Sequence, residues 1–431
     1  MQAGPRDLDS RLSLSRRLET NGFHALLMGD HPDSGASPWP ALGAAAAVTQ
    51  TLQLGTYVLQ AGVREPVHAS SDAATLESKY MKAKKRVLAL LIALTSLASG
   101  CGLTTNQTPE EVTEAFVGNN DGGAIVLVQH DGEVTRTAVG DANADGDPLT
   151  IETPMRVGSI SKTFVATMVL QLVDEGLVDL DEPLGTYLPR ATTGSSVSIR
   201  QLLSHRSGIA SYTVQPSLLE DVMADRARSF TPEQILGYVA DLPQETPGEY
   251  AYSNTNYILL GQVIEQLDGT DLNQSLQTRI AEPLGLDSTL FPTAGAATET
   301  VASGWSPGFS EGQADAEYEA LDSGAWAAGA LISTVDDLAA FLHGLFAGDL
   351  ITDASLEQMT DTGLDGYGLG IVAAVLGPRF VGFSHGGATL GYRSTMAIQP
   401  LSGDSVVILT NNDDLSADDL APKILEASRA G

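Results

Sequence analysis

The run Gly158-Ser159-Ile160-Ser161-Lys162-Thr163-Phe164 constrains this chain more than any other. An extended pattern, Met155 to Gly158, leads into it, and a strongly apolar helical pattern continues to about Gly176. Ser159 stands at the helix start with Lys162 one turn on, and residues three apart share a helix face. The amine therefore lies beside the hydroxyl. A serine hydroxyl is a weak nucleophile near neutral pH and needs a neighbouring base. A lysine serves once its amine is partly desolvated and gives up its proton easily. The helix N-terminus also offers N–H groups to a developing oxyanion. Ser-x-x-Lys alone is a weak signal in 431 residues, yet this is its one occurrence, and only Lys162 and Lys423 follow Cys101. Partners further along the chain must decide its meaning.

The length leaves room for two or three domains and a large core. A net charge of −31 argues against nucleic-acid binding and against docking on anionic lipid. Ten of the 23 basic residues precede residue 87, so the two ends of the chain read as different proteins. One cysteine, Cys101, excludes an intramolecular disulfide, and the seven histidines are scattered. No Cys/His cluster suggests zinc, so neither metal nor cofactor is expected.

Residues 1–80 alternate helical and strand patterns: helices over Leu12 to Gly22 and Ala41 to Thr51, strands over Ala25 to Met28 and Leu54 to Leu59. The runs Asn21-Gly22-Phe23, Gly29-Asp30-His31-Pro32, Ser37-Pro38-Trp39-Pro40 and Leu54-Gly55-Thr56-Tyr57-Val58 resemble the start of luciferase-like, flavin- or deazaflavin-dependent monooxygenases. That family is an eight-stranded barrel. Two or three of its units leave strand edges and an apolar interior open, so this piece is expected neither to fold stably alone nor to bind a flavin.

Met81 opens a new pattern. A basic run, Lys82 to Arg86, precedes an apolar core, Val87 to Ala98, which ends in Ala98-Ser99-Gly100-Cys101. This reads as a secretory signal, with a core short for a membrane span. The small residues before the cysteine resemble a bacterial lipoprotein signal, which implies lipid on Cys101 and export to the outer face of a bacterial membrane. Such a signal works at a protein's start, so the working protein is expected to begin at Met81. Residues 102–111 then form a polar tether, and 112–431 the main domain.

In that domain Ala124 to Gln129 and Val134 to Val139 flank Asp131-Gly132 as a hairpin. Helical patterns fill the middle, over Ile199 to Leu203, Pro232 to Val239, Tyr257 to Leu267 and Leu272 to Ile280. Arg379 to Ser384, Tyr392 to Gln399 and Ser405 to Thr410 read as adjacent antiparallel strands, and Asp418 to Arg429 as a closing helix. The expected fold is α/β: an antiparallel sheet flanked by helices, with an inserted helical lobe.

Two further motifs suit one cleft. In Tyr252-Ser253-Asn254 a phenol and an amide two apart face one way on a loop. A phenol near a lysine passes a proton between nucleophile and leaving group, and an amide binds a substrate carbonyl and steadies the lysine. The plain alternative is that Asn254 caps the next helix. Ser384-His385-Gly386-Gly387-Ala388 ends a strand. Its glycines admit a substrate backbone, and a following N–H completes an oxyanion hole. The alternative is a structural histidine.

The order Ser-x-x-Lys, Tyr-x-Asn, His-Gly-Gly resembles the penicillin-recognising serine hydrolases: class C β-lactamases, D-alanyl-D-alanine carboxypeptidases and related esterases. Leu202-Leu203-Ser204-His205-Arg206-Ser207-Gly208-Ile209, Ser333-Thr334-Val335-Asp336-Asp337-Leu338 and Tyr367-Gly368-Leu369-Gly370 match as well. The likeness covers about residues 112–428 and implies a β-lactamase/transpeptidase-like fold. It implies that Ser159 forms an acyl-enzyme and that Lys162 and Tyr252 share the acid and base work. Asn254 would bind the substrate amide, and the N–H groups of Ser159 and Ala388 the oxyanion. His385 would stand where β-lactamases carry lysine. Gly386 departs from the usual Thr or Ser, which weakens a grip on a substrate carboxylate unless Thr389 substitutes. The implied substrates are a peptidoglycan-type D-alanyl peptide or a small ester; a non-catalytic acylated sensor is the alternative. Gly382-Phe383-Ser384-His385-Gly386 also fits the Gly-x-Ser-x-Gly elbow, but a strand follows and no histidine occurs beyond His385.

Overall fold

A computed structural model describes residues 25–29, 53–58, 107–292, 301–306, 313–314, 319–377 and 379–429. The chain divides into two compact units. The first comprises Met1–Thr104 with Thr362–Gly366 and Ala373–Val381; the second comprises Thr105–Asp361, Tyr367–Val372 and Gly382–Gly431. In the first, β1 (Ala25–Gly29) and β2 (Gln53–Val58) pair in parallel, Ala25 opposite Gln53. The helices expected at Leu12 to Gly22 and Ala41 to Thr51, the signal-like run and Cys101 lie outside the described residues.

In the second unit, α1 (Pro109–Val117) starts at a capping box in which Thr108 and Glu111 exchange side-chain and backbone bonds. β3 (Gly123–His130) and β4 (Glu133–Gly140) form the hairpin expected from Asp131-Gly132, both in the positive-φ geometry of a tight turn. After β5 (Met155–Arg156) comes α2 (Ser161–Asp174), then α3 (Ile199–Leu203), α4 (Pro216–Ala224), α5 (Asn254–Asp268) and α6 (Glu319–Ala325). β6 (Ile332–Ser333) pairs with β5, and α7 (Val335–Ala347) follows. The chain then returns through β7 (Val381–Thr389), β8 (Tyr392–Gln399), β9 (Asp404–Thr410) and α8 (Ala417–Ala427).

The antiparallel order is β4-β3-β9-β8-β7, so the first hairpin joins the last three strands. Ser405 of β9 meets His343 of α7. Three residues on, Ile408 lies opposite Thr395, whose hydroxyl bonds Asp418 of α8. Successive residues alternate faces, so α7 and α8 cover opposite faces. Covered twice, β9 is buried throughout. α2 is buried from Ser161 to Leu170 on every side, with Phe164 stacked on Phe341 of α7. A helix without a polar face belongs in an interior, and here it carries its N-terminal residues to the centre of the unit.

Candidate active site

The turn before α2 sets the site. Gly158 adopts φ +53°, and a Cβ there would lie 2.7 Å from the Ala388 nitrogen. Glycine thus lets the backbone reverse and brings the Ser159 turn against the end of β7. Residues Gly158–Ile160 form a single 3₁₀ turn, and the Ser161 hydroxyl closes it by donating to the Gly158 carbonyl. The Leu331 N–H donates to the same hydroxyl.

Ser159 faces a cavity, and its Oγ receives two hydrogen bonds from behind. Lys162 Nζ lies 3.0 Å away and the Tyr252 hydroxyl 3.0 Å away. Lys162 is fully buried; its Nζ also donates to the Ala328 carbonyl at 2.5 Å. That nitrogen sits 5.0 Å from the Tyr252 ring centre and 5.6 Å from that of Tyr257, whose π-faces favour a cation. Ser159, Lys162 and Tyr252, dispersed in sequence, therefore meet at one oxygen.

Asn254 is the first residue of α5, not its cap; Ser253 takes the capping position. The Asn254 side chain lines the cavity beside Ser159. Its amide donates to the hydroxyls of Thr213 at 3.1 Å and Ser211 at 3.4 Å. These bonds hold the amide at the cavity wall and direct it to hydroxyls rather than to the lysine. Ala388 and Thr389 also line the cavity.

His385 and Gly387 stand elsewhere than expected. A Cβ on Gly387 would fall 2.0 Å from the Val157 carbonyl oxygen and 2.3 Å from Ser394 Oγ. The backbone that glycine admits is the protein's own, so its role is to seat β7 against the strand leading to Ser159. His385 is buried and absent from the described cavity lining. Its Nδ1 lies 2.7 Å from the Gly386 carbonyl and so carries the proton; its Nε2 accepts from Tyr367 at 3.1 Å. Burial, aided by the Lys162 charge, lowers its pKa to about 3, so the ring is neutral at physiological pH and offers no cation to a substrate.

Behind the site this bond continues. The Tyr367 hydroxyl also lies 3.2 Å from His205 Nε2. His205 Nδ1 accepts the Ser253 N–H, so its Nε2 carries the proton and donates to Tyr367. Burial and the neighbouring tyrosines hold the Tyr367 hydroxyl well above its ordinary pKa, as a neutral donor. The His205 ring lies 4.2 Å from that of Tyr252, tilted 36°. His205 thus supports the phenol by ring contact and by holding the next residue's backbone. Its φ of +55° is uncommon for a side-chain-bearing residue, as at many sites where neighbours fix the backbone.

Sequence reasoning missed a second anchor. Arg156 forms two bonds to Asp322, Nε–Oδ1 at 2.6 Å and Nη2–Oδ2 at 2.8 Å, and its Nη1 donates to Tyr392. Burial opposes the Arg156 charge, but Tyr392 and Asp322 outweigh it and raise the pKa above the ordinary value. The pair ties β5, two residues before Gly158, to α6, which lines the cavity. The scarcity of basic residues in this domain was the available signal. His205 and Tyr367 lay within runs already noted, without a role. The Gly382 to Gly386 run lies inside β7, with Ser384 buried opposite Ala397, so it forms no elbow.

The beta-lactamase family profile matches residues 111–429. The chain belongs to the beta-lactamase family. A luciferase-like monooxygenase profile matches residues 1–80. Among solved structures, a D-stereospecific amidohydrolase from a Streptomyces species is 30% identical with a TM-score of 0.64, covering 74% of this chain and 97% of that one. Penicillin-binding protein 4 of Amycolatopsis lactamdurans is 32% identical over 177 residues, 39% of this chain and 44% of the relative. The match therefore spans less than half that relative's length. An esterase of Burkholderia gladioli is 26% identical, covering 67% of this chain and 86% of its own.

Proposed function

We propose that this protein hydrolyses amides or esters through an acyl-enzyme on Ser159. The meeting of Lys162 and Tyr252 on the Ser159 oxygen carries this reading. In acylation, Oγ bonds to the substrate carbonyl carbon while its proton passes into the Lys162–Tyr252 pair. That pair returns the proton to the leaving atom as the carbon–leaving-group bond breaks. The N–H groups of Ser159 and Ala388 serve as oxyanion donors, and Asn254 orients the substrate at the cavity wall. Water then attacks the acyl carbon and frees Ser159. The relatives' names, an amidohydrolase and an esterase, support both substrate types.

A cell-wall D-alanyl peptide suits the family and an exported protein. The neutral, buried His385 and Gly386 favour substrates that need no cation to grip a carboxylate. Lipid attachment at Cys101, with export to the outer face of a bacterial membrane, is proposed from the signal-like run alone. Radiolabelled palmitate incorporation that is lost in Cys101→Ser supports it, and incorporation unchanged in that variant refutes it.

The test of catalysis is intact mass after a fluorophosphonate or penicillin, with peptide mapping. An adduct on Ser159 is expected; an adduct elsewhere, or none, overturns the reading. Steady release from a chromogenic ester after the initial burst marks an enzyme, whereas one stoichiometric burst marks a sensor.

A further inference from the structure

The cavity at Ser159 has a volume of about 250 Å³. One wall is polar, from Asn254, Thr213 and Thr389. Most of the remaining lining is apolar: α4 contributes Leu218, Leu219 and Val222, joined by Leu321, Ala325 and Leu390. Among the described residues no lysine, arginine, histidine, aspartate or glutamate lines it. An anionic or cationic group placed there would lose hydration without a counter-charge. Leu219 is 54% exposed, a large apolar side chain at the cavity wall that an occupant would cover.

The cavity also has a direction. Ser159 is among its lining residues, and the acyl group stays bonded to Ser159 Oγ after the leaving group departs. The cavity therefore takes the acyl part. At about 30 Å³ for each water-sized group, the space holds roughly eight such groups, reacting carbonyl included.

We propose that this cavity selects an uncharged apolar acyl group of about four to six carbons, with Leu218, Leu219 and Val222 setting the preference. The proposal rests on the acyl-enzyme reading above. In each reaction tested, the Oγ–carbon bond forms as the bond to p-nitrophenol oxygen breaks, and that leaving group departs.

The experiment measures the rate of p-nitrophenol release in the acylation phase. The substrates are p-nitrophenyl acetate, butyrate, pentanoate, hexanoate, decanoate and the glutarate half-ester, with Ser159→Ala as background. Each buried methylene is worth about fourfold, so hexanoate should exceed acetate at least tenfold, by that same estimate, with a fall by decanoate. Glutarate, a five-carbon acyl group ending in carboxylate, should react at least about tenfold more slowly than pentanoate. Leu219→Arg, at a half-exposed position, should reverse the ranking of glutarate and pentanoate. The wild-type series decides the matter without any variant. If acetate is acylated through Ser159 but chain length or the carboxylate makes no difference, the cavity proposal is overturned and the acyl-enzyme stands. If no ester is cleaved and Ser159 takes no label, the acyl-enzyme reading fails and the acyl preference with it.

Discussion

The two sides of Ser159 are built in opposite ways. Behind it, Lys162, His205, Tyr367 and His385 are buried, and their polar atoms meet hydrogen-bond partners. In front, Leu218, Leu219 and Val222 offer apolar surface with Leu219 reaching solvent. A buried polar group left unpaired costs more than its bond contributes when made, so the rear tolerates little change. An apolar wall discriminates by small increments for each methylene, so it changes substrate preference gradually. Chemistry is thus fixed where partners are obligatory, and selectivity is carried where they are not.

The sharpest way to break this contrast is Ser159→Ala. Turnover should fall by about a million-fold, the scale seen when a serine nucleophile is removed; activity retained within tenfold would show that the chemistry lies elsewhere. Tyr252→Phe keeps the ring against His205 and removes only the hydroxyl. It should lower kcat by about 10²–10⁴-fold while binding of a chemically inert substrate analogue changes little. Equal losses in both would make Tyr252 a packing residue.

Asp322→Asn leaves Arg156 charged and buried without its anion, at a cost of about 3–5 kcal/mol in stability. Urea denaturation measures it, and a loss under 1 kcal/mol would remove the anchor assigned to this pair.

The smallest effect is acid sensitivity. His385 has a folded pKa near 3 against an ordinary 6.5. Between these values the unfolded chain takes a proton that the folded chain refuses. The contribution is therefore complete above pH 6.5 and declines as pH falls, by about 1.4 kcal/mol per unit. Urea midpoints between pH 7 and 5 should fall less steeply in His385→Gln than in the unaltered protein. His343 is shifted the same way by burial and remains in both, so the difference in slope isolates His385. Equal slopes would contradict a neutral buried imidazole.

Much of the second unit was legible in the chain. The β3–β4 hairpin followed from Asp131-Gly132 because few residues accept the turn it needs. β8, β9 and α8 followed from local patterns, with ends within about two residues, whereas β7 runs on to Thr389, past the expected end at Ser384. Ser159 and Lys162 were readable because helix geometry alone brings them together. Arg156 and Asp322 were not, since nothing local joins residues 166 positions apart. His385 was legible as a residue but its burial against Tyr367 was not, because a side chain's direction on a strand depends on what covers each face.

The sequence by itself determined local geometry: the apolar helix α2 and the spacing of hydroxyl and amine one helical turn apart. These depend on backbone sterics and periodicity, which act over a few residues. Only the tertiary structure decided that Tyr252 meets the Ser159 oxygen while the His385 ring turns inward to Tyr367, and that an apolar wall faces the nucleophile. Those outcomes depend on long-range packing and on satisfying polar groups away from water, which a linear pattern does not specify.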